Sequence, residues 1–273
     1  MPNITQTTNA VFIPEVWSGD TIKATRSKLV LANLVKRHDK DVMKYGDTIH
    51  VPLVSQFTAN DKLPNTKTSP QAHTETEVQI AIDKHKEVTF IIEDIAEIQS
   101  EQNLRSIYTD EAGYAIAKAV DSDLAALAAG FSTTYGTYNT AITTDVVLDS
   151  IEALDLADVP EDNRHFVYRP DVKRDLLDLA TFTSSDFVNG RPVSTGAIGD
   201  LYGVMTYMST NIVKTGNNTD NMLFHKDALA LAMQKNIRSQ SEYDQDYLAD
   251  KFTTDCVYGV KEMRDDFGIL VKT

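Results

Sequence analysis

Residues 94–130 read DIAEIQSEQNLRSIYTDEAGYAIAKAVDSDLAALAAG, a stretch without proline and with one interior glycine, Gly113. Leu104, Ile107, Tyr108, Ala112, Ala115, Ala119 and Leu127 recur at nearly the three-and-four spacing of a helix face. Ser100 is placed to cap the start, Glu101 suits the positive end of the helix dipole, and Gly130 suits a left-handed exit. The pattern predicts a helix from Glu101 to Ala129, about 43 Å long at 1.5 Å per residue. Its alanines (Ala112, Ala115, Ala117, Ala119, Ala125, Ala126) let neighbours approach closely along one side. A rod of this length with a small-residue face is a structural beam, around which the rest of the chain must be arranged.

Outward from the helix, the whole chain has 273 residues, enough for one large domain or two modest ones. A hydrophobic content of 42% against 24% charged fits a globular protein rather than a disordered one. No apolar run approaches the ~20 residues of a membrane span, and MPNITQTTNA lacks the pattern of a signal peptide. The single cysteine, Cys256, excludes an internal disulfide and a cysteine metal cluster, and is expected as a small residue within a strand. The net charge of −14 is uneven: residues 1–44 carry seven Lys/Arg against four Asp/Glu, or +3, leaving −17 for the remainder. An acidic body argues against tight nucleic-acid binding, which depends on cationic contacts with phosphate.

Before the helix, Phe12, Ile13, Val16 and Trp17 form an apolar patch on an otherwise polar arm, followed by a short amphipathic helix from Thr21 to Lys36. Gly46-Asp47 reads as a turn. Ile49, Val51 and Leu53 then alternate with polar residues as a strand, and Val78, Ile80 and Ile82 alternate again towards Val88–Ile92. About 20 polar, turn-rich residues separate the two strands, so the hairpin buries little by itself and is expected to reach another subunit. After the helix, Thr144 is expected to cap a helix through Leu154, His165–Tyr168 to form a strand, and Pro170 to open another helix. Residues 181–200 read as a polar loop, Leu201–Met208 as a strand, and Asp227–Gln234 as a helix. Phe252, Cys256, Tyr258 and then Ile269–Val271 return to extended patterning. Strands and helices mix without regular βαβ units, which makes the class α+β.

The chemistry-bearing motifs are missing. There is no Gly-rich phosphate loop, nucleophile elbow or His-Glu-x-x-His, and the six histidines are scattered. The pairs Asp121/Asp123 and Asp244/Asp246 lack further loop ligands for a cation and are expected as solvated surface. Asp266-Phe267-Gly268 copies a kinase tripeptide, but without its companion motifs it reads as a turn. No catalytic residue, metal or cofactor is expected.

Several phrases together resemble the major capsid proteins of tailed double-stranded DNA bacteriophages, the HK97 fold. IPEVWSGDTIKATRSKLVLANLVKR resembles the family's N-terminal arm, and YGDTIHVPLV through DKHKEVTFIIED resembles its extended hairpin, the E-loop, leading into the spine helix. HFVYRPDVKRDLL, GDLYGVMTYMSTNI and NMLFHKDALALAMQ are similar to the axial (A) domain, and DKFTTDCVYGVKEMRDDFGILV to the closing strands of the peripheral (P) domain. The resemblance implies an arm at 1–44, an E-loop at 45–92, a P domain at 93–143, an A domain at 144–234 and closing P strands at 235–273. It implies a virion shell subunit, assembled in the host cytoplasm into hexamers and pentamers of an icosahedral head around packaged double-stranded DNA, which it touches weakly. A portal and possible decoration proteins are expected partners. No long charged coiled-coil segment precedes the arm, so a separate scaffolding protein is expected, the initiating Met1 arguing against a removed leader. Phe12, Ile13, Trp17, Lys62 and Lys67 are the expected intersubunit contacts. The family's covalent cross-link uses a lysine, an asparagine and a carboxylate from neighbouring subunits. Only the lysines near the hairpin tip have a counterpart, so no cross-linking residues are assigned. An encapsulin-type compartment shell and a small soluble enzyme are the alternative readings.

Overall fold

The computed structural model describes residues 29–42, 46–54, 57–68, 70–71, 75–95, 104–178 and 201–273, apart from the side chains of residues 41, 42, 54, 75 and 104. Short elements lead in: α1 (Leu31–Leu34), β1 (Lys36–Arg37) and α2 (Asp39–Val42). A hairpin of β2 (Thr48–Val54) and β3 (Glu75–Ala81) follows, then β4 (Lys84–Glu93) and the long helix α3 (Leu104–Ala126). Next come β5 (Thr134–Gly136), α4 (Thr144–Leu156), β6 (Arg164–Tyr168) and α5 (Pro170–Asp178). The remainder is extended: β7 (Met205–Met208), β8 (Lys214–Thr215), β9 (Asn218–His225), β10 (Leu229–Asp244), β11 (Ala249–Glu262) and β12 (Gly268–Lys272).

The helix predicted from 101 to 129 is α3, closed by a 3-10 turn over Leu127–Gly130, and spans about 34 Å. Its expected cap Ser100, with Glu101, lies outside the described residues. The buried stripe is Ala112, Ile116, Val120, Leu124 and Ala128, every fourth residue, whereas Tyr108 and Ala115 are exposed. Isoleucine, valine and leucine offer more apolar area than alanine, and they decide which face turns inward.

That stripe lies against a sheet of order β1-β10-β11-β4, in which β10, β11 and β4 run antiparallel and β1 joins β10 in parallel. Alternate residues of β4 face the helix. Lys84 and Lys86 meet Asp123 of α3 at 3.0 and 3.8 Å, and Phe90 stacks on Phe252 at 5.2 Å, with the Arg105 guanidinium 4.7 Å from the Phe252 ring centre. Tyr258 donates its hydroxyl to Asp123 at 2.7 Å, and burial together with that carboxylate pushes the phenol pKa far upward. Cys256 is buried in β11, as expected.

The segment expected as a helix at 227–234 is instead the start of β10. Leu229 and Leu231 join the main core, while Ala230 and Ala232 pack with Ile80 and Met263 under the hairpin. Burial on both faces selects a strand over the helical propensity of alanine and leucine.

A second sheet has the order β5-β12-β9-β6-β7, with β8 added to β9. Helix α4 covers it through Val147, Ser150 and Leu154 and is capped by Thr143 rather than Thr144, at 3.4 Å from the Val146 amide. Buried Arg164 closes the far end of α4, bonding the Val159 and Pro160 carbonyls at 2.5 and 2.9 Å and Asp155 at 2.6 Å. The strand expected over 201–208 is only Met205–Met208, because Tyr202 and Gly203 turn the chain at φ 49° and 83°. Pro170 does open α5, and Asp265–Phe267 forms a turn of 3-10 helix. Residues 181–200 lie outside the described residues.

Candidate assembly surfaces

Strands β2 and β3 pair in register from Thr48↔Ala81 to Val54↔Glu75 and form a two-stranded sheet of their own. Two strands alone are marginal in water. The root is therefore seated on the larger sheet, where Ile80 is fully buried and Ile49, Val51, Val78 and Ile82 pack around it. Gln234 Nε2 donates to the Gly46 carbonyl at 2.9 Å, and the Ile82 amide to the Asp47 carbonyl at 2.7 Å. Gly259 of β11 permits the contact, since a Cβ there would overlap the carbonyl oxygen of Ala81.

Further out, the Gln71 side chain acts as a missing strand neighbour, accepting from the Thr58 amide at 3.2 Å and donating to its carbonyl at 2.5 Å. Beyond this clamp every described residue of 57–68 is exposed. Phe57 and Leu63 show 68% and 65% of their surface to solvent, an unusual display for large apolar side chains on one loop. Lys62 and Lys67 stand on the same exposed loop, and Lys62 Nζ donates to the Leu63 carbonyl at 3.0 Å. The other expected contacts, Phe12, Ile13 and Trp17, lie outside the described residues.

A second apolar display sits at the turn between β10 and β11. Tyr247 and Leu248 are 69% and 63% exposed, and Leu248 has φ 46°, a backbone region that costs a leucine about 1 kcal/mol or more. Asp244 accepts from the Asp246 amide at 3.0 Å within this turn, so that carboxylate shapes the loop. The Leu248 carbonyl accepts from the Asp94 amide at 3.1 Å, and Tyr243 donates to the Asp94 carboxylate at 2.8 Å. Neither residue of the Tyr247-Leu248 pair stood out in the sequence. Left-handed leucine is recognisable only from dihedral angles.

Asp246 is exposed, as expected of solvated surface, but Asp121 of the other aspartate pair is not. Asp121 is fully buried and accepts from the Leu31 amide at 2.8 Å, the Ala32 amide at 3.3 Å and Asn211 Nδ2 at 2.9 Å. One carboxylate thus ties the arm's end and the loop before β8 to α3. On the opposite face of the sheet, Arg238 grips Asp255 with two bonds of 2.7 and 3.1 Å while His85 lies 3.2 Å away, and the guanidinium holds the Asp255 carboxyl below its ordinary range. No group of acidic, histidine and cysteine side chains among the described residues is arranged to hold a metal ion. No helix among them is long and apolar enough to cross a membrane.

A spine helix laid on one sheet, a hairpin reaching away from it and a second sheet linked through the same strands define an HK97-like shell subunit. The family model described as "Phage capsid protein" matches residues 43–263, and the chain belongs to that family. The fold is similar to a chain of Mycobacterium phage Che8, 27% identical, with a TM-score of 0.84 over 95% of this chain and 97% of that one. It is also similar to a chain in the capsid structure of the Cyanophage P-SCSP1u, at 18% identity and a TM-score of 0.82 over 97% and 93% of the two chains. For the asymmetric unit of the bacteriophage PhiM1 mature capsid the values are 15%, 0.78, 95% and 91%. A comparison with curated proteins gave no match. The protein is a structural major capsid protein of the virion, associating with further copies of itself, and neither the encapsulin nor the enzyme reading gains support.

Proposed function

We propose that the subunit forms hexamers and pentamers of an icosahedral head, held together chiefly by the N-terminal arm and the hairpin. The observation that carries this is the hairpin loop itself. It is clamped into a defined shape by Gln71 yet buries none of its large apolar side chains in its own subunit. A loop ordered without a core of its own is suited to a partner's surface. Phe57 and Leu63 would supply apolar anchors there, with Lys62 and Lys67 as cationic flanks. Phe12, Ile13 and Trp17 would play the same part on the arm.

The proposed domain limits start from the expected ones and are adjusted by sheet membership: β4 pairs with β11 in the first sheet, whereas β5 and β12 belong to the second. Because β10 pairs with β11 along its length, the A domain is better ended before Leu229 than at 234. From Glu93 to Phe131 the chain carries eight Asp/Glu against Arg105 and Lys118, a net of −6, with Asp110 exposed on α3. Asp121 is buried and Asp123 is met by Lys84 and Lys86, so it is the remaining carboxylates that, facing packed double-stranded DNA, would keep phosphate from adhering, because affinity rises with each cationic contact. A separate scaffolding protein, a portal and assembly in the host cytoplasm complete the proposal.

The test is a pair of variants, a deletion of residues 1–20 and the double substitution F57S/L63S. Each is expected to give a soluble subunit with a single cooperative melt near that of the parent, while electron microscopy shows few closed shells. Global unfolding of both would overturn the division between fold-holding and shell-holding segments, as would normal shells from both. Unassembled subunits should be cut by protease first within 55–77, and should show negligible binding of duplex DNA at moderate salt.

A further inference from the structure

Strand β10 runs well past one of its two neighbours. On one side it pairs with β11 out to Asp244↔Ala249, but on the other β1 covers only Ala230 and Leu231. Residues 235–243 are all exposed, and among the described residues no strand pairs with their outer edge. The register with β11 shifts twice before Arg238 and is unbroken from there to Asp244. A regular edge of this kind presents a row of unused N–H and C=O groups, which proteins commonly guard with proline, bulges or charge. Those guards are weak here. Residues 235–244 hold no proline, the irregularities lie at the near end only, and the Arg238 guanidinium is turned back onto Asp255 by bonds of 2.7 and 3.1 Å.

The sequence of this edge is complementary to itself. In an antiparallel pair, opposite residues either both point their backbone groups across the gap or both point them away. Along β10 the outward groups alternate, so two copies of the edge can pair only with even numbers opposite even and odd opposite odd. Of those registers, the one centred on Gln240 sets Arg238 opposite Glu242, Ser239 opposite Ser241, and Ile237 beside Tyr243. Ile237 and Tyr243 are 39% and 46% exposed, and both an aromatic with a β-branched residue and two opposite charges are favourable cross-strand pairs. Asp255 takes two of the five N–H donors of Arg238, which leaves the rest for a second carboxylate. Centring on Arg238 or Glu242 sets like charges face to face. Centring on Ser239 loses the ion pair, and centring on Ser241 sets Ile237 against Gln245, beyond the end of the strand.

We propose that the outer edge of β10 from Arg238 to Asp244 is an intersubunit contact, pairing antiparallel with the same edge of a second copy across a twofold axis at Gln240. The axis stands perpendicular to the sheet, so two four-stranded sheets join into one and α3 lies on the same side in both copies. Neighbouring subunits of a shell need that arrangement, because both must keep the same face outward. The contact is isologous, each pair being made twice, and it uses neither the hairpin loop nor the arm.

Cysteine substitution reads the register directly. Residues opposite one another in an antiparallel pair have Cα atoms about 4.5–5.5 Å apart, within reach of a disulfide. Q240C, in mildly oxidised particles of the full chain, is expected to run mostly as linked dimers on a non-reducing denaturing gel. E242C lies roughly 13 Å from its own counterpart in this register and should give no more dimer than the parent. The native cysteine, Cys256, is buried and does not compete. Both substitutions are on exposed positions and should leave the melting temperature of the subunit unchanged. If Q240C forms no particles, the same gel on concentrated unassembled subunit decides. Absence of linked Q240C dimers overturns the proposal, as does linkage of E242C equal to that of Q240C. Dimers that form only after deletion of residues 1–20 would give this edge to the arm, and overturn it as well.

Discussion

At the scale of single residues, Asp121 concentrates more structure than its position on a helix face suggests. It accepts three N–H bonds, two of them from the backbone of α1, in a site closed to water. A buried donor left without an acceptor costs about 1–3 kcal/mol, and D121A would strand several at once. We expect D121A to lower unfolding stability by about 3 kcal/mol or more in chemical denaturation. D121N, which keeps one acceptor but turns an NH2 group towards Asn211, should fall between the two. An unchanged midpoint for D121A would mean that the arm's end is not anchored there. Sequence reasoning placed this aspartate on solvated surface because its donors are remote: Leu31 lies ninety positions earlier and Asn211 ninety later. Only the folded chain brings them together.

At the scale of elements, the legible features were those whose signal is local. Spine helix, hairpin strands and the helix opened by Pro170 each announce themselves through period, turn residues or proline chemistry. Residues 227–234 did not, because ALALAMQ satisfies both periods, and the choice was made by the hairpin root resting on Ala230 and Ala232. The same seating makes a sharp contrast between two glycines. G259A would drive a methyl group into the Ala81 carbonyl, and should cost about 1–3 kcal/mol and hasten proteolysis within 55–77. G113A meets open space on α3 and should stabilise by about 0.5–1 kcal/mol through helix propensity. Thermal melts with limited proteolysis of both variants check the pair. Equal effects would show that the hairpin is not seated through Gly259.

At the scale of the whole molecule, stability should respond to acid through the second sheet. His165 is buried between the rings of Tyr207 and Phe224, its Nδ1 without a hydrogen-bond partner, and burial, then His225 and Lys226, push its pKa below the usual value. The folded chain therefore resists a proton that the unfolded chain accepts. Its contribution is whole above about pH 6.5 and declines as pH falls towards the folded value. H165F, which keeps a ring between the same two aromatics, should lose part of the drop in melting temperature between pH 7.5 and 5.5. A drop as large as in the parent would remove His165 from the account. The order of the strands in the second sheet carries a different consequence, one concerning synthesis. Strand β12 lies between β5 and β9, pairing with both, and the Thr273 hydroxyl accepts from buried Asn221 at 2.9 Å. A ribosome makes β5 and β9 long before the strand that belongs between them. Until β12 emerges the sheet has a gap between β5 and β9, so a nascent or prematurely terminated chain lacks the finished shape that its neighbours would recognise. Broken messages then yield fragments for proteolysis rather than flawed tiles in the shell.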